Sequence, residues 1–177
     1  VYFGGGEFSE SLGVEDELAC VKSGFALGQW DGMLTFDVAT ADGVEGPGCG
    51  VHVRSPDWAF GPHKGKWVHV AGTYDSVTGQ TSLFIDGKIV HTDFEASGPL
   101  VWPQDSHPFV MGRHGDFIAT ISGSTGIDAE LDEIRVWTEA RSQADLNAYM
   151  HKTMPDNGAF GPYPMDTVAL YFRFECQ

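Results

Sequence analysis

The segment T-S-L-F-I-D-G-K-I-V-H-T, residues 81–92, restricts the fold of this chain more than any other. Two short runs of apolar and β-branched residues flank Asp86-Gly87. A two-residue hairpin turn needs positive φ at both positions, which Asp tolerates and Gly adopts freely. The segment therefore predicts strands Thr81–Ile85 and Lys88–Thr92 joined by a tight turn. Other runs read as strands: Glu17–Lys22, Gly24–Gly28, Met33–Ala39, Gly50–Arg54, Phe109–Gly112, Leu131–Trp137 and Val168–Glu175. Lys66–Tyr74 is apolar on both faces, as expected of a central strand. The 23 glycines spread between these runs supply turns, so the chain reads as all-β.

One helix is expected, Gln143–His151. Ser142 stands as N-cap with Asp145 three residues on, and Leu146, Tyr149 and Met150 form the apolar face. Three loops rich in Pro, Gly and aromatics, Ser55–Gly65, Ala96–Pro108 and Pro155–Pro164, are long enough to carry function. No repeat or linker interrupts the chain, so residues 1–177 are expected to form a single domain.

Lys and Arg number 10 against 25 Asp and Glu, a formal charge of -15. That field repels phosphate backbones and anionic bilayers, which argues against nucleic-acid or membrane partners. No apolar run approaches the roughly 20 residues of a spanning helix. The acidity fits solubility in a saline or extracellular setting, or carboxylates gathered around a hard cation such as Ca²⁺. Cys20, Cys49 and Cys176 contain no CxxC pair. The expected pairing is Cys20 with Cys49, with buried free thiols as the alternative.

Four segments occur in a distinctive order: Trp67, His69, Val70 and Ala71; then Asp86 and Gly87; then Met111 and Gly112; then Asp132-Glu133-Ile134-Arg135-Val136 before the helix. Together they resemble the laminin-G-like, concanavalin-A-like lectin-glucanase superfamily. The match runs from about Gly24 to Met150. Val1–Gly13 lacks the family's opening pattern. The resemblance implies a two-sheet antiparallel jelly-roll sandwich with one short C-terminal helix. It implies a secreted or lumenal module that binds carbohydrate or protein, often with Ca²⁺. In such sandwiches an Asp placed like Asp132 can hold the ion, and Asp116 and Asp128 flank it; Glu7, Glu15, Asp16 and Glu17 are further carboxylates for that site. An ion pair with Arg or Lys is the other reading of Asp132, since a half-buried acid needs a partner.

The same sandwich hosts retaining glycoside hydrolases, which need two carboxylates about 5–5.5 Å apart. Glu130 and Asp132 share a face of the expected strand, but the next residue on it is Ile134. No G-x-S-x-G or Walker-type loop occurs. The chain is therefore expected not to be an enzyme. Sugar rings stack on flat aromatic faces and their hydroxyls seek Asp, Asn or Gln. Trp58 with Asp57, and Trp102 with Gln104 and Asp105, suit that chemistry; Trp30, Phe60 and Tyr163 are further aromatics of this kind. Plugging of the sandwich edges is the alternative role for all of them. Trp67 and Trp137 are expected in the core, and His69 as a hydrogen-bonded structural residue. Glu133 and Arg135 are expected to form a surface ion pair. A structural subunit docked in a multi-chain assembly is the competing reading of the whole chain.

Overall fold

A computed structural model of the chain describes residues 3–5, 8–9, 20–21, 23–30, 33–41, 51–56, 63–102, 109–112, 129–154 and 167–174. The strands are β1 (Phe3–Gly5), β2 (Phe8–Ser9), β3 (Cys20–Val21), β4 (Phe25–Trp30), β5 (Met33–Val38) and β6 (Val51–Arg54). They continue with β7 (Val70–Tyr74), β8 (Thr81–Ile85), β9 (Lys88–Asp93), β10 (Val110–Met111), β11 (Ile134–Trp137) and β12 (Val168–Phe172). One helix, α1 (Gln143–Tyr149), lies between β11 and β12. A five-stranded sheet has the order β10-β1-β4-β5-β6 and a three-stranded sheet the order β7-β8-β9. β11 pairs with β12, β2 with β3, and every pairing is antiparallel.

The two larger sheets share one core, which gives the antiparallel sandwich that the alternating runs imply. β5 and β6 contribute Leu34, Phe36, Val38 and Val53; β8 contributes Leu83 and Ile85. Leu34, Val38, Val53 and Leu83 are completely buried. Each stabilises the fold by about 1.5–3 kcal/mol relative to an exposed side chain.

The hairpin forms as expected. Asp86 has φ 48° and Gly87 φ 69°, the double positive φ that selects Asp-Gly. Strand β8 is central and buried at all five positions. Strand β7 lies at one edge of the three-stranded order and is half-buried throughout. The double apolar face of residues 66–74 was thus not the mark of a central strand. One face meets the core through Val68 and Val70, while Trp67, before the strand begins, is 67% exposed instead of buried.

The helix has both halves of its cap: Asp145 N–H donates to Ser142 Oγ, and Ser142 N–H donates to Asp145 Oδ2. Its apolar face is only half-buried, because α1 rests on the hairpin turn and not on the core. Gln143 Nε2 donates to the Gly87 carbonyl at 2.9 Å, and a Cβ on Gly87 would stand 2.1 Å from Asn147 Oδ1. The N-terminal glycine-rich segment supplies a strand that alternation does not reveal. β1 pairs with β4 on one side and β10 on the other. Cys49 and Cys176 lie outside the described residues, as does the side chain of Cys20, and so does their expected pairing.

Candidate functional site

The segment after β9 returns along β5. Thr40 and Leu100 form a bridge, Val101 N–H donates to the Ala39 carbonyl at 2.9 Å, and Gly24 N–H donates to Val101 O at 2.6 Å. Val101 packs on Ala26 and Ala39, while Leu100 joins the main core. These contacts fix the next residue, Trp102, at the surface with 61% exposure. Its ring meets Phe25 edge-on, with centroids 6.4 Å apart and planes at 86°. Phe25 contacts Phe109 at 6.3 Å, and Phe109 stacks on Phe172 at 6.2 Å and 8°. Four aromatics far apart in sequence thus form one row, with Trp102 at its exposed end. Edge-to-face and stacked pairs hold ring orientation beyond what area burial does. The braced indole can present a flat apolar face and one N–H donor to a ligand. Of the other residues suited to sugar binding, Asp57, Trp58, Gln104 and Asp105, with Phe60 and Tyr163, lie outside the described residues.

Asp132 sits on the surface, not half-buried, because the strand starts later than its pattern suggests. Glu133 has φ 54°, which breaks extended geometry, and β11 begins at Ile134. Asp132 Oδ1 accepts the Phe174 N–H at 3.0 Å and the Glu133 N–H at 2.8 Å. Those two donors hold its carboxyl below the usual range, Phe174 most strongly. Its visible task is to tie the chain after β12 to the start of β11. Glu130 is exposed beside it, so the expected strand face shared by Glu130 and Asp132 does not form. A Ca²⁺ needs six to eight oxygens. Among the described residues no three His, Cys, Asp or Glu side chains gather as a metal cluster. Asp116 and Asp128 lie outside them.

Glu133 and Arg135 do pair, at 2.6 Å, but away from the surface, since the Arg135 side chain is only 10% exposed. The guanidinium also donates to the carbonyls of Tyr149 and Lys152. Tyr171 OH donates to Glu133 at 2.9 Å. Burial and then that carboxylate raise the phenol's pKa. Arg141 lies over the Trp137 ring at 4.2 Å and donates to Thr167 Oγ1 at 2.8 Å. These networks fasten α1 and the β11–β12 ribbon.

His69 is held through its main chain and not through ring Nδ1. Its backbone is clasped, with N–H donating to Asp86 Oδ1 at 3.0 Å. Its Nδ1, however, is buried without a partner among the described residues. Burial, and then the Arg135 cation, hold its pKa below 6.5 against the opposing pull of Asp86. The unfolded chain therefore binds this proton more readily than the folded one. Stability from His69 is present above 6.5 and is lost as pH falls toward the lower folded value. Melting curves between about pH 7.5 and about pH 5.5 should show Tm falling, and less steeply in His69→Gln. Equal slopes for both proteins would assign the pH dependence elsewhere.

A laminin-G-type family model, described as the concanavalin A-like lectin/glucanases superfamily, matches residues 49–147, more than half of the chain. A crystal structure of an S-layer domain-containing protein (residues 221–444) from Clostridium thermocellum ATCC 27405 is similar at 18% identity with a TM-score of 0.40. The similarity covers 72% of this chain and 56% of that one, too loose a likeness to carry an argument. No curated protein matches the chain.

Proposed function

The chain belongs to the concanavalin A-like lectin/glucanases superfamily, and from that premise we propose that it is a non-catalytic extracellular recognition module whose ligand is a glycan. The observation that carries the reading is Trp102, exposed yet braced edge-on by Phe25. A tryptophan left out only by chance would not be held by a row of three further rings. A pyranose places its C–H face on such an indole, and its hydroxyls need polar partners at the rim. Gln104 and Asp105 follow two and three residues later and are proposed for that rim, with Asp57 and Trp58 as further ligand contacts. Residues 1–177 are taken as one such module.

A glycan array followed by titration of the tryptophan emission tests this. Trp102→Ala should weaken binding of any retained glycan by about tenfold or more, matching about 1.4 kcal/mol or more of stacking. Tm should stay nearly unchanged, because the ring is mostly exposed. Undiminished retention by the variant would remove Trp102 from the site. Calcium support through Asp132, Asp128 and Asp116 is proposed alongside. A melt in Ca²⁺ against one in EGTA should differ by several degrees if the folded chain holds the ion. Coincident melts would withdraw the calcium part and leave the glycan part standing.

A further inference from the structure

We infer that copies of this chain associate head to tail, the lysine- and tryptophan-bearing end of one β7–β9 sheet meeting the acidic, apolar end of the same sheet in the next copy. The register defines the two ends. At one, Val70 pairs with Ile85 and Ile85 with Lys88; at the other, Tyr74 pairs with Thr81 and Thr81 with Asp93. Four residue steps along the strand separate them by roughly 13 Å.

The first end is basic in a chain of charge -15. The turn His63–Lys66 closes through Lys66 N–H to the His63 carbonyl at 2.9 Å. His63 Nδ1 faces Asp86 Oδ2 at 3.9 Å, which ties this turn to the β8–β9 hairpin. Lys64, Lys66 and Lys88 are all exposed there, three of the five lysines in the sequence. Trp67 stands among them, 67% exposed. Asp86 offsets part of this charge, but its Oδ1 is engaged by the His69 N–H and its Oδ2 faces His63.

The second end is the opposite in charge and alike in apolarity. Asp75, Asp93 and Glu95 gather where β7 ends and β9 leaves the sheet. A Cβ on Gly79 would lie 2.2 Å from the Ala96 carbonyl oxygen, so the 75–80 loop rests directly on the segment after β9. Val77 is 91% and Phe94 65% exposed on these two adjoining segments. Asp75 keeps its charge, because the Val77 N–H and then the Thr78 hydroxyl hold its pKa below 3.8.

Each end thus joins a large exposed apolar side chain to charges predominantly of one sign, the arrangement of an anchor within a polar rim. The complement of each is carried by every copy of the chain, which favours a second copy over an unrelated partner. Such a contact is heterologous, so association continues past the dimer instead of closing. Two bodies of like net charge repel at long range. At about 0.15 M salt the screening length of about 8 Å suppresses that repulsion and spares pairs in contact.

Sedimentation velocity of the 177-residue chain at rising concentration, in about 0.15 M salt, tests the inference. The expected result is an average mass that climbs past the dimer and falls again at about 1 M salt. Lys66→Glu and Glu95→Lys should each weaken association by about tenfold, since each sets like charges together at the junction. Their equimolar mixture should associate again, because the intact basic end of the Glu95→Lys chain meets the intact acidic end of the Lys66→Glu chain. Recovery on mixing also shows that both variants are folded. A wild type that stays monomeric or stops at a dimer overturns the inference. So do variants that associate like the wild type, and a mixture no better than its components.

Discussion

Arg135→Ala should cost roughly 3–5 kcal/mol of stability, the penalty for breaking a mostly buried ion pair by removing one partner. For a chain of this length that lowers Tm by on the order of 10 °C. The guanidinium holds Glu133 Oε2 at 2.6 Å and two carbonyls at the end of α1, those of Tyr149 and Lys152. It also stands 5.9 Å from the centre of the Tyr171 ring on β12. Its loss leaves Glu133, 24% exposed, with the Tyr171 hydroxyl and with Arg173 at 4.0 Å. The two carbonyls lose a charged donor. Arg135→Lys should recover only part of the loss, because an ammonium cannot reproduce the planar fork that reaches both chain segments. Chemical denaturation gives the global figure. Hydrogen exchange over residues 143–154 should show this segment opening first, since α1 has no fully buried residue of its own. A Tm within about 2 °C of wild type would mean that the network contributes no more than an exposed pair.

The contrast between this network and the hairpin shows what the sequence makes legible. Asp86-Gly87 and the Ser142–Asp145 cap are local: each is decided by residues within a few positions, so pattern and structure agree. The two sheets of the sandwich follow from alternating runs. Neighbourhood in a sheet does not. β7 reads as central, yet β8 holds that place, because apolar residues on two faces do not tell which strands lie beside them. β1 carries Phe3-Gly4-Gly5, with no alternation to find, and is made a strand by partners that begin twenty or more residues away. The left-handed turn at Glu133 has no composition signal, and it shifts Asp132 from strand to surface.

The candidate site divides in the same way. Trp102 was legible as an exposed loop aromatic because Pro and Gly surround it. Its support by Phe25, Phe109 and Phe172 was not, since those rings meet only through the pairing of β1 with β4 and β10 and the approach of β12. Trp67 reads as a core strand residue but directly follows the turn closed by His63 and Lys66, one residue short of the side chain that enters the core. Asp57, Trp58, Gln104, Asp105, Asp116 and Asp128 fall outside the described residues, and their roles rest on the sequence alone.

Gly72→Ala should destabilise the sandwich by about 1–3 kcal/mol although the backbone there suits any residue. Gly72 does not take a positive φ, so conformation is not the reason for it. The reason is distance. A Cβ at this position would stand 2.2 Å from Cγ and Cδ2 of Phe36, on the facing sheet. Phe36 is 6% exposed and packed within the main core, so its ring has little room to withdraw. At this point the two sheets approach closely, one side offering a ring and the other no side chain. Phe36→Leu alone should also destabilise, by loss of the ring and its contacts. Combined, the two changes should cost less than their sum by on the order of 1 kcal/mol or more, because the methyl then enters space the ring has left. Denaturation of the two single variants and the double variant measures that coupling. Simple additivity would mean that the sheets separate to admit the methyl, and that the packing at Gly72 is set by something other than Phe36.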